Sequence, residues 1–343
     1  MQWKMMKPAR VGGLDLRNRL VRSATWEAMC DEGGHMPREL LDLYEQLAEG
    51  GVGGIVTGFT GVDGDDRWFD GMARLHSDSL VSEHAELVRR VHARGAKIMP
   101  QLALGGYWPK GAADPVEVGR MSQADLDRCV RMFADAACRA QAAGYDAVQV
   151  HVAHGFFLSR TVSAARNRRT DAYGVTQHGR DKLACDVVRA VREAVPELPV
   201  WAKVNCSDFE PGGLVPQDAL VLCEDLADAG VSAIEVSGNG TSRGGVRAGR
   251  GEGYFLPFAE ELDGRVGPDV VCVGGWRSPQ VMDQALAQTG VAALSLSRPL
   301  VREPGLPARW AAGSDAPSAC VSCNACYRTP GHACIFNLRK VGE

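Results

Sequence analysis

The stretch HVAHGFFLS, residues 151–159, sets two histidines three apart, His151 and His154, where an apolar run ends and a glycine begins. Imidazole donates, accepts or carries a proton near neutral pH. A lone histidine in such a place reads first as a hydrogen-bonded structural residue; a pair asks for a further role. A second concentration lies near the end of the chain, where CVSCNACYRTPGHAC spaces Cys320, Cys323, Cys326 and Cys334 as C-x2-C-x2-C-x7-C. Four thiols so close form a metal-ligand pattern, and from the residues alone an iron–sulfur cluster, zinc and free thiols are all open. His332, inside the run, is either a further zinc ligand or a solvent-exposed loop residue.

These side chains need elements to position them. Short apolar, β-rich runs alternate with longer segments of helical period from near the start to about residue 300. The strand candidates are 20–24, 53–59, 97–103, 147–153, 199–205, 233–238, 270–275 and 293–298, and the helical stretches include 37–50, 82–95, 123–144, 181–195, 216–230 and 279–290. Runs apolar at nearly every position fit strands buried on both faces. Alternating strands and helices build parallel βα units. Eight units predict a (β/α)8 TIM barrel, a single α/β domain over residues 1–312, with a Cys-rich extension over 313–343 packed on it. In a barrel, chemistry gathers at the C-terminal ends of the strands. There the chain carries Trp26 and Glu27, Gln101, His151 and His154, Lys203 and Asn205, Gly238 and Asn239, Gly274 and Gly275, and Ser297 and Arg298. The last two pairs, in VGGWRSP and LSRP, supply backbone N–H groups and a guanidinium where barrels commonly hold phosphate.

Composition narrows the class. A chain of 343 residues, 45% hydrophobic, builds a sizeable core, and a net charge of −4 leaves no basic footprint for nucleic acid. Charges of both signs are interspersed, and no apolar run reaches the roughly 18 residues that span a bilayer, so no membrane partner is expected. The opening MQWKMMKPARVGG lacks the pattern of a secretory signal, and eleven cysteines, an odd number, suit reduced thiols. The expectation is a cytoplasmic protein.

The stretches LRNRLVRSAT, PQLALGG, GYDAVQVHVAHGFFLSRTVSAARNRRTDAYG, VGGWRSP, LSRPLVREPGLP and CVSCNAC follow one another over nearly the whole chain. In them the chain resembles the old yellow enzyme family of NADH:flavin oxidoreductases and ene reductases, in the branch of trimethylamine dehydrogenase and 2,4-dienoyl-CoA reductase. The resemblance implies FMN at the barrel mouth, with Ser23, Ala24, Thr25 and Trp26 beside it and Gln101 on its pyrimidine edge. Lys203 stands where the family usually has an arginine near flavin N1 and O2, and Gly274, Gly275, Ser297 and Arg298 match the phosphate cradle. It also implies that His151 and His154 hold an oxygen of a small-molecule substrate while hydride passes from flavin N5 to an electron-poor alkene or related compound, with NAD(P)H or a redox partner as reductant. At Cys320, Cys323, Cys326 and Cys334 it implies a [4Fe–4S] cluster, with zinc as the alternative; the final gap is shorter than in the relatives. A cluster would call for a partner protein to exchange electrons, and barrels of this kind form homo-oligomers.

One departure touches the chemistry. The family's tyrosine two residues after the second histidine is Phe156 here, and a phenyl ring has no proton to give. Tyr44, Tyr107, Tyr254, Glu27 and Cys30 are the candidate acids, beside solvent. Arg243, Arg247 and Arg250, in the glycine-rich loop 239–255, either meet an anionic substrate or are solvated. Two other readings stand next to ene reduction: a flavin/iron–sulfur dehydrogenase passing electrons to a partner, and a catalytically degenerate flavin-binding barrel.

Overall fold

The computed structural model describes residues 3–240 and 242–338. Its eight barrel strands are β1 (Leu20–Arg22), β2 (Gly54–Gly61), β3 (Lys97–Ala103), β4 (Val148–Val152), β5 (Val200–Asn205), β6 (Ala233–Ser237), β7 (Asp269–Val273) and β8 (Ala293–Leu296). Each pairs in parallel with the next, and β1 closes the ring on β8 and β2. The register sets His151 beside Lys203, Lys203 beside Glu235, and Gln101 beside Gln149. The helices of the barrel are α1 (Arg38–Glu49), α2 (Val81–Ala93), α3 (Gln123–Ala142), α4 (Phe157–Val162), α5 (Gln177–Ala194), α6 (Pro216–Ala229), α7 (Leu256–Asp263), α8 (Pro279–Gln288), α9 (Arg298–Arg302) and α10 (Leu306–Ala311), and the extension adds a single turn at Ile335–Leu338. All eight strand candidates are present. The short helices α4, α7, α9 and α10 were not foreseen, being too brief to show a helical period. Among the described residues no helix is long and apolar enough to cross a membrane.

Period-two alternation sorts the strand residues. Outward side chains such as Ile55, Ile98, Val150, Val204, Ile234 and Leu294 join one core with Leu47, Leu87, Phe133, Val188, Leu222 and Leu286 of the helices. Inward, the N-terminal end of the barrel is filled by Val21, Val56, Met99, Ala147, Trp201, Ala233, Val271 and Ala293. A hairpin of Ala9–Val11 and Leu14–Leu16 plugs this end, adding Val11, Leu14 and Leu16. Its turn slides under Trp201, whose Nε1 donates to the Gly12 carbonyl at 2.9 Å. A Cβ on Gly12 would lie 2.4 Å from that nitrogen at a φ of +53°, so only glycine fits.

One step up, the inward residues of six of the eight strands turn polar: Ser23, Gln101, Gln149, Lys203, Glu235 and Ser295, all buried. An apolar floor beneath a polar layer is what makes the C-terminal mouth a site. The extension after α10 is anchored to the barrel, Ser318 donating to Glu303 at 2.9 Å and Asn337 to the Arg302 carbonyl at 3.1 Å.

Candidate active site

Above the polar layer, at the C-terminal ends of the strands, lies a cavity of about 370 Å³. Ser23, Ala24, Thr25, Trp26, Gln101, His151, His154, Lys203, Gly275, Ser297 and Arg298 all line it. The structure therefore brings together every expected cavity residue except Gly274. That glycine is not part of the lining, and its carbonyl accepts from the Gly253 N–H at 2.7 Å.

The centre of the polar layer is Glu235, which is fully buried. Lys203 Nζ lies 3.0 Å from its carboxylate, and Ser23 Oγ, Ser295 Oγ and Gln149 Nε2 donate to it at 2.7, 2.6 and 2.9 Å. Burial alone would raise its pKa, but the Lys203 charge and these three donors outweigh burial and hold it below the usual glutamate value. Gln149 in turn accepts from Gln101 Nε2 at 2.7 Å. The carboxylate thus fixes Gln149, and Gln149 fixes which end of the Gln101 amide is free to face the cavity. Neither Glu235 nor Gln149 was singled out in the sequence, although each is a polar residue interrupting an apolar strand in step with Lys203.

His151 and His154 sit 5.1 Å apart, ring to ring. His154 adopts φ +65°, uncommon for a residue with a Cβ, and is held there by its N–H to Asn205 Oδ1 at 3.1 Å and its Nε2 against Ser237 Oγ at 2.8 Å. Burial, with Lys203 nearby, pushes the His154 pKa down to about 3, and burial, His154 and Lys203 push His151 well down too. Both imidazoles are neutral at pH 7, suited to hydrogen bonding and not to acid catalysis. Around them Phe156 meets Phe59, Phe69 and His151 at 5.4, 5.3 and 5.1 Å, and Trp26 meets Phe69 at 4.5 Å. Nδ1 of His151 and Nε1 of Trp26 are buried without a protein partner, as expected where a ligand completes the site.

Of the candidate acids, only Tyr254 lines the cavity. Glu27, Cys30 and Tyr44 belong to a separate small pocket behind it, where Tyr44 donates to Glu27 at 3.1 Å and burial raises the Glu27 pKa to about 7. Tyr107 points elsewhere, donating to Asp125 at 2.8 Å. Tyr327, which the sequence did not flag, also lines the cavity and meets Ser242. Arg243, Arg247 and Arg250 do not line it; Arg243 lies over the Tyr254 ring at 4.5 Å.

At the opposite end are Gly275, Ser297, Arg298 and Arg277. Gly275 has φ +78°, and a Cβ there would strike the Tyr254 ring at 2.6 Å. The backbone N–H groups of Arg277 and Ser278 are already bonded to Glu252, the latter at 2.8 Å, so the backbone of the second half of VGGWRSP is not available to an anion. What could hold phosphate is the Gly275 turn with Ser297 and the two guanidinium groups.

Cys320, Cys323, Cys326 and Cys334 line one small adjoining cavity, which also takes in Arg298. Among the described residues no three His, Cys, Asp or Glu side chains converge closely enough to hold a single metal ion. His332 is not exposed and does not line the four-cysteine cavity: its Nδ1 meets the Trp26 carbonyl and its ring stands edge-on to the indole at 4.8 Å. The extension thus forms part of the cavity wall.

Comparison with known proteins gives the fold and the family. The chain is 29% identical to a metal reductase of Desulforamulus reducens, covering 99% of this chain and 54% of that protein. It is 30% identical to an NADPH dehydrogenase of Geobacillus thermodenitrificans, covering 88% and 92%. In fold it matches 2-naphthoyl-CoA reductase in complex with 2-naphthoyl-CoA at a TM-score of 0.84 and 19% identity, over 94% of this chain and 54% of that one. The chain thus spans about half the length of two of these proteins and nearly all of the third. The family model of the NADH:flavin oxidoreductase / NADH oxidase family matches residues 4–316, and the chain, an oxidoreductase, belongs to that family.

Proposed function

We propose that this protein is an FMN-dependent, NAD(P)H-oxidising reductase of electron-poor small molecules, activated alkenes first among them. One observation carries the reading: a cavity with buried cations at one end, a neutral imidazole pair over an aromatic wall at the other, and a glutamine amide held between them. When bound, FMN supplies the hydride, taken from NAD(P)H and delivered to the substrate. Ser23, Ala24, Thr25 and Trp26 would flank its ring system, Gln101 would pair with its pyrimidine edge, and Lys203 would supply positive charge beside it. Gly275, Ser297 and Arg298 would hold the phosphate. His151 and His154 donate hydrogen bonds to a substrate oxygen and so stabilise negative charge that develops on it. Neutral imidazoles cannot protonate the carbon, so the proton comes from solvent or from the Tyr254 or Tyr327 hydroxyl at the cavity.

A second reading, a flavin/iron–sulfur dehydrogenase that passes electrons to a partner protein, is favoured by the cysteine cavity sharing Arg298 with the flavin cavity. Thiols arrayed around a cavity suit a cluster, which takes one thiolate per iron, better than tetrahedral zinc with all sulfurs about 2.3 Å from one point.

The test is an absorption spectrum of protein purified without oxygen, with iron and zinc determined on the same sample, followed by NADH and NADPH oxidation against a panel of cyclic enones. Flavin bands with enone-dependent NAD(P)H consumption support the first reading. About four irons per chain with a dithionite-bleachable shoulder near 400 nm support the second. Bound FMN without enone turnover and without iron leaves the degenerate flavin-binding barrel, and protein that neither carries nor takes up FMN refutes all three readings.

A further inference from the structure

Two guanidinium groups meet at the phosphate end of the cavity, and only one of them belongs to the sequence motif. Arg277 is 1% exposed and Arg298 is 7% exposed, and both line the cavity. The Arg277 hydrogen bonds run to the Cys320 carbonyl (3.0 Å), the Trp276 carbonyl (2.6 Å), Cys320 Sγ (3.6 Å) and Ser322 Oγ (2.7 Å). Those of Arg298 run to the Arg243 carbonyl (2.9 Å) and the Asn324 side chain (2.5 Å). None of these six acceptors is a carboxylate. Glu252 is the carboxylate nearby, but it is taken up by the Arg277 and Ser278 N–H groups and the Ser278 hydroxyl; two buried charges of like sign whose side chains meet only neutral acceptors are costly unless an anion sits between them.

We propose that Arg277 is a second phosphate-binding cation of the flavin cavity, held in place by Cys320 and Ser322 of the cysteine loop. The proposal rests on the flavin reading above. Its geometry follows from the fork of the side chain: Nε and Nη2 are taken up by the loop, and Nη1, with one hydrogen on the Trp276 carbonyl, has a second hydrogen to give. Arg298 is tied to the same loop through Asn324, and the loop is clasped from the far side by Asn324 donating to the Ser242 carbonyl at 2.8 Å. The cysteine run therefore acts on the flavin even before anything is bound to its thiols, by fixing both cations that face the phosphate.

The experiment is a titration of apoprotein with FMN and, separately, with riboflavin, which lacks the phosphate, following quenching of flavin fluorescence. Arg277→Met should weaken FMN at least 10-fold and leave riboflavin within 2-fold, and Arg277→Lys, which keeps the charge but loses the fork, should fall between. Ser322→Ala should weaken FMN about 3-fold, again without effect on riboflavin, and keeps the test alive should Arg277→Met fail to fold. Unchanged FMN affinity in Arg277→Met, or equal losses for FMN and riboflavin, would overturn the proposal, the second outcome marking Arg277 as a purely structural residue. An unaltered Ser322→Ala would overturn the role of the loop. Wild-type protein that binds riboflavin but gains nothing from the phosphate also overturns it, whereas wild type that binds neither compound fails at the flavin reading itself.

Discussion

Replacing Glu235 with glutamine changes one atom and removes the charge at the centre of the barrel. The carboxylate accepts from Lys203, Ser23 and Ser295 on one oxygen and from Gln149 on the other. If the new amide nitrogen takes the first place, it faces an ammonium that cannot accept a hydrogen bond. If it takes the second, it faces the Gln149 nitrogen, and relief requires Gln149 and then Gln101 to turn over, reversing the face shown to the cavity. Either way Lys203, 3% exposed at its side chain, loses its counter-charge. Stranding a buried charge costs about 3–5 kcal/mol. Urea unfolding of the apoprotein at pH 7 should register a loss of that order for Glu235→Gln, with the slope unchanged. The double variant Lys203→Met with Glu235→Gln should lose less than Glu235→Gln alone, because it leaves no charge stranded. The pH dependence follows the same pair. Since folding lowers the Glu235 pKa, its contribution is present above the ordinary glutamate value near 4.5 and is lost as pH falls, and the variant should lack that acid-side loss. A Glu235→Gln cost below about 1 kcal/mol, or strict additivity in the double variant, would refute the reasoning.

Other consequences can be checked directly. Arg298→Ala should lower the flavin content of purified protein and weaken FMN by at least about 10-fold, since a charge-assisted, buried contact to phosphate is lost; unchanged flavin content would count against the phosphate assignment. Phe156→Tyr should raise turnover of cyclic enones by about 10–100-fold if a proton donor is what limits the reaction; equal rates would place proton delivery elsewhere. With His154 pushed down to about 3, the pH profile of kcat/KM should carry no imidazole ionisation between about pH 5 and 8, and a limb near 6.5 that disappears in His154→Gln would contradict its neutral state. Because unfolding restores an imidazole value near 6.5, His154 contributes stability above about pH 6.5 that is lost as pH falls, by at most about 5 kcal/mol, and His154→Gln should flatten that dependence in acid-unfolding curves.

Much of this molecule is written locally in its chain. Strands covered on both faces must be apolar at nearly every position, so eight such runs between helical segments determine a parallel barrel, and the barrel determines which end of each strand carries chemistry. His151 and His154, Gln101, Lys203, Ser297 and Arg298 stand out because they break that rule at strand ends, and they do gather at one cavity. What the residues alone did not reveal depends on partners distant along the chain. Gln149 and Glu235 are 86 residues apart, and His332 and the Trp26 carbonyl 306, so no local period links them. His332 read as a loop residue because a segment without regular period gives no sign of the surface it packs on. Glu252 and Arg277 looked like members of a loop and of a phosphate motif; only the closed ring, which brings the loop after β6 against the turn after β7, makes one the cap that closes half the motif and turns the other toward the cysteines. Side-chain period fixes the face of a strand on which a residue lies, while the closure of the barrel decides which residues meet across it.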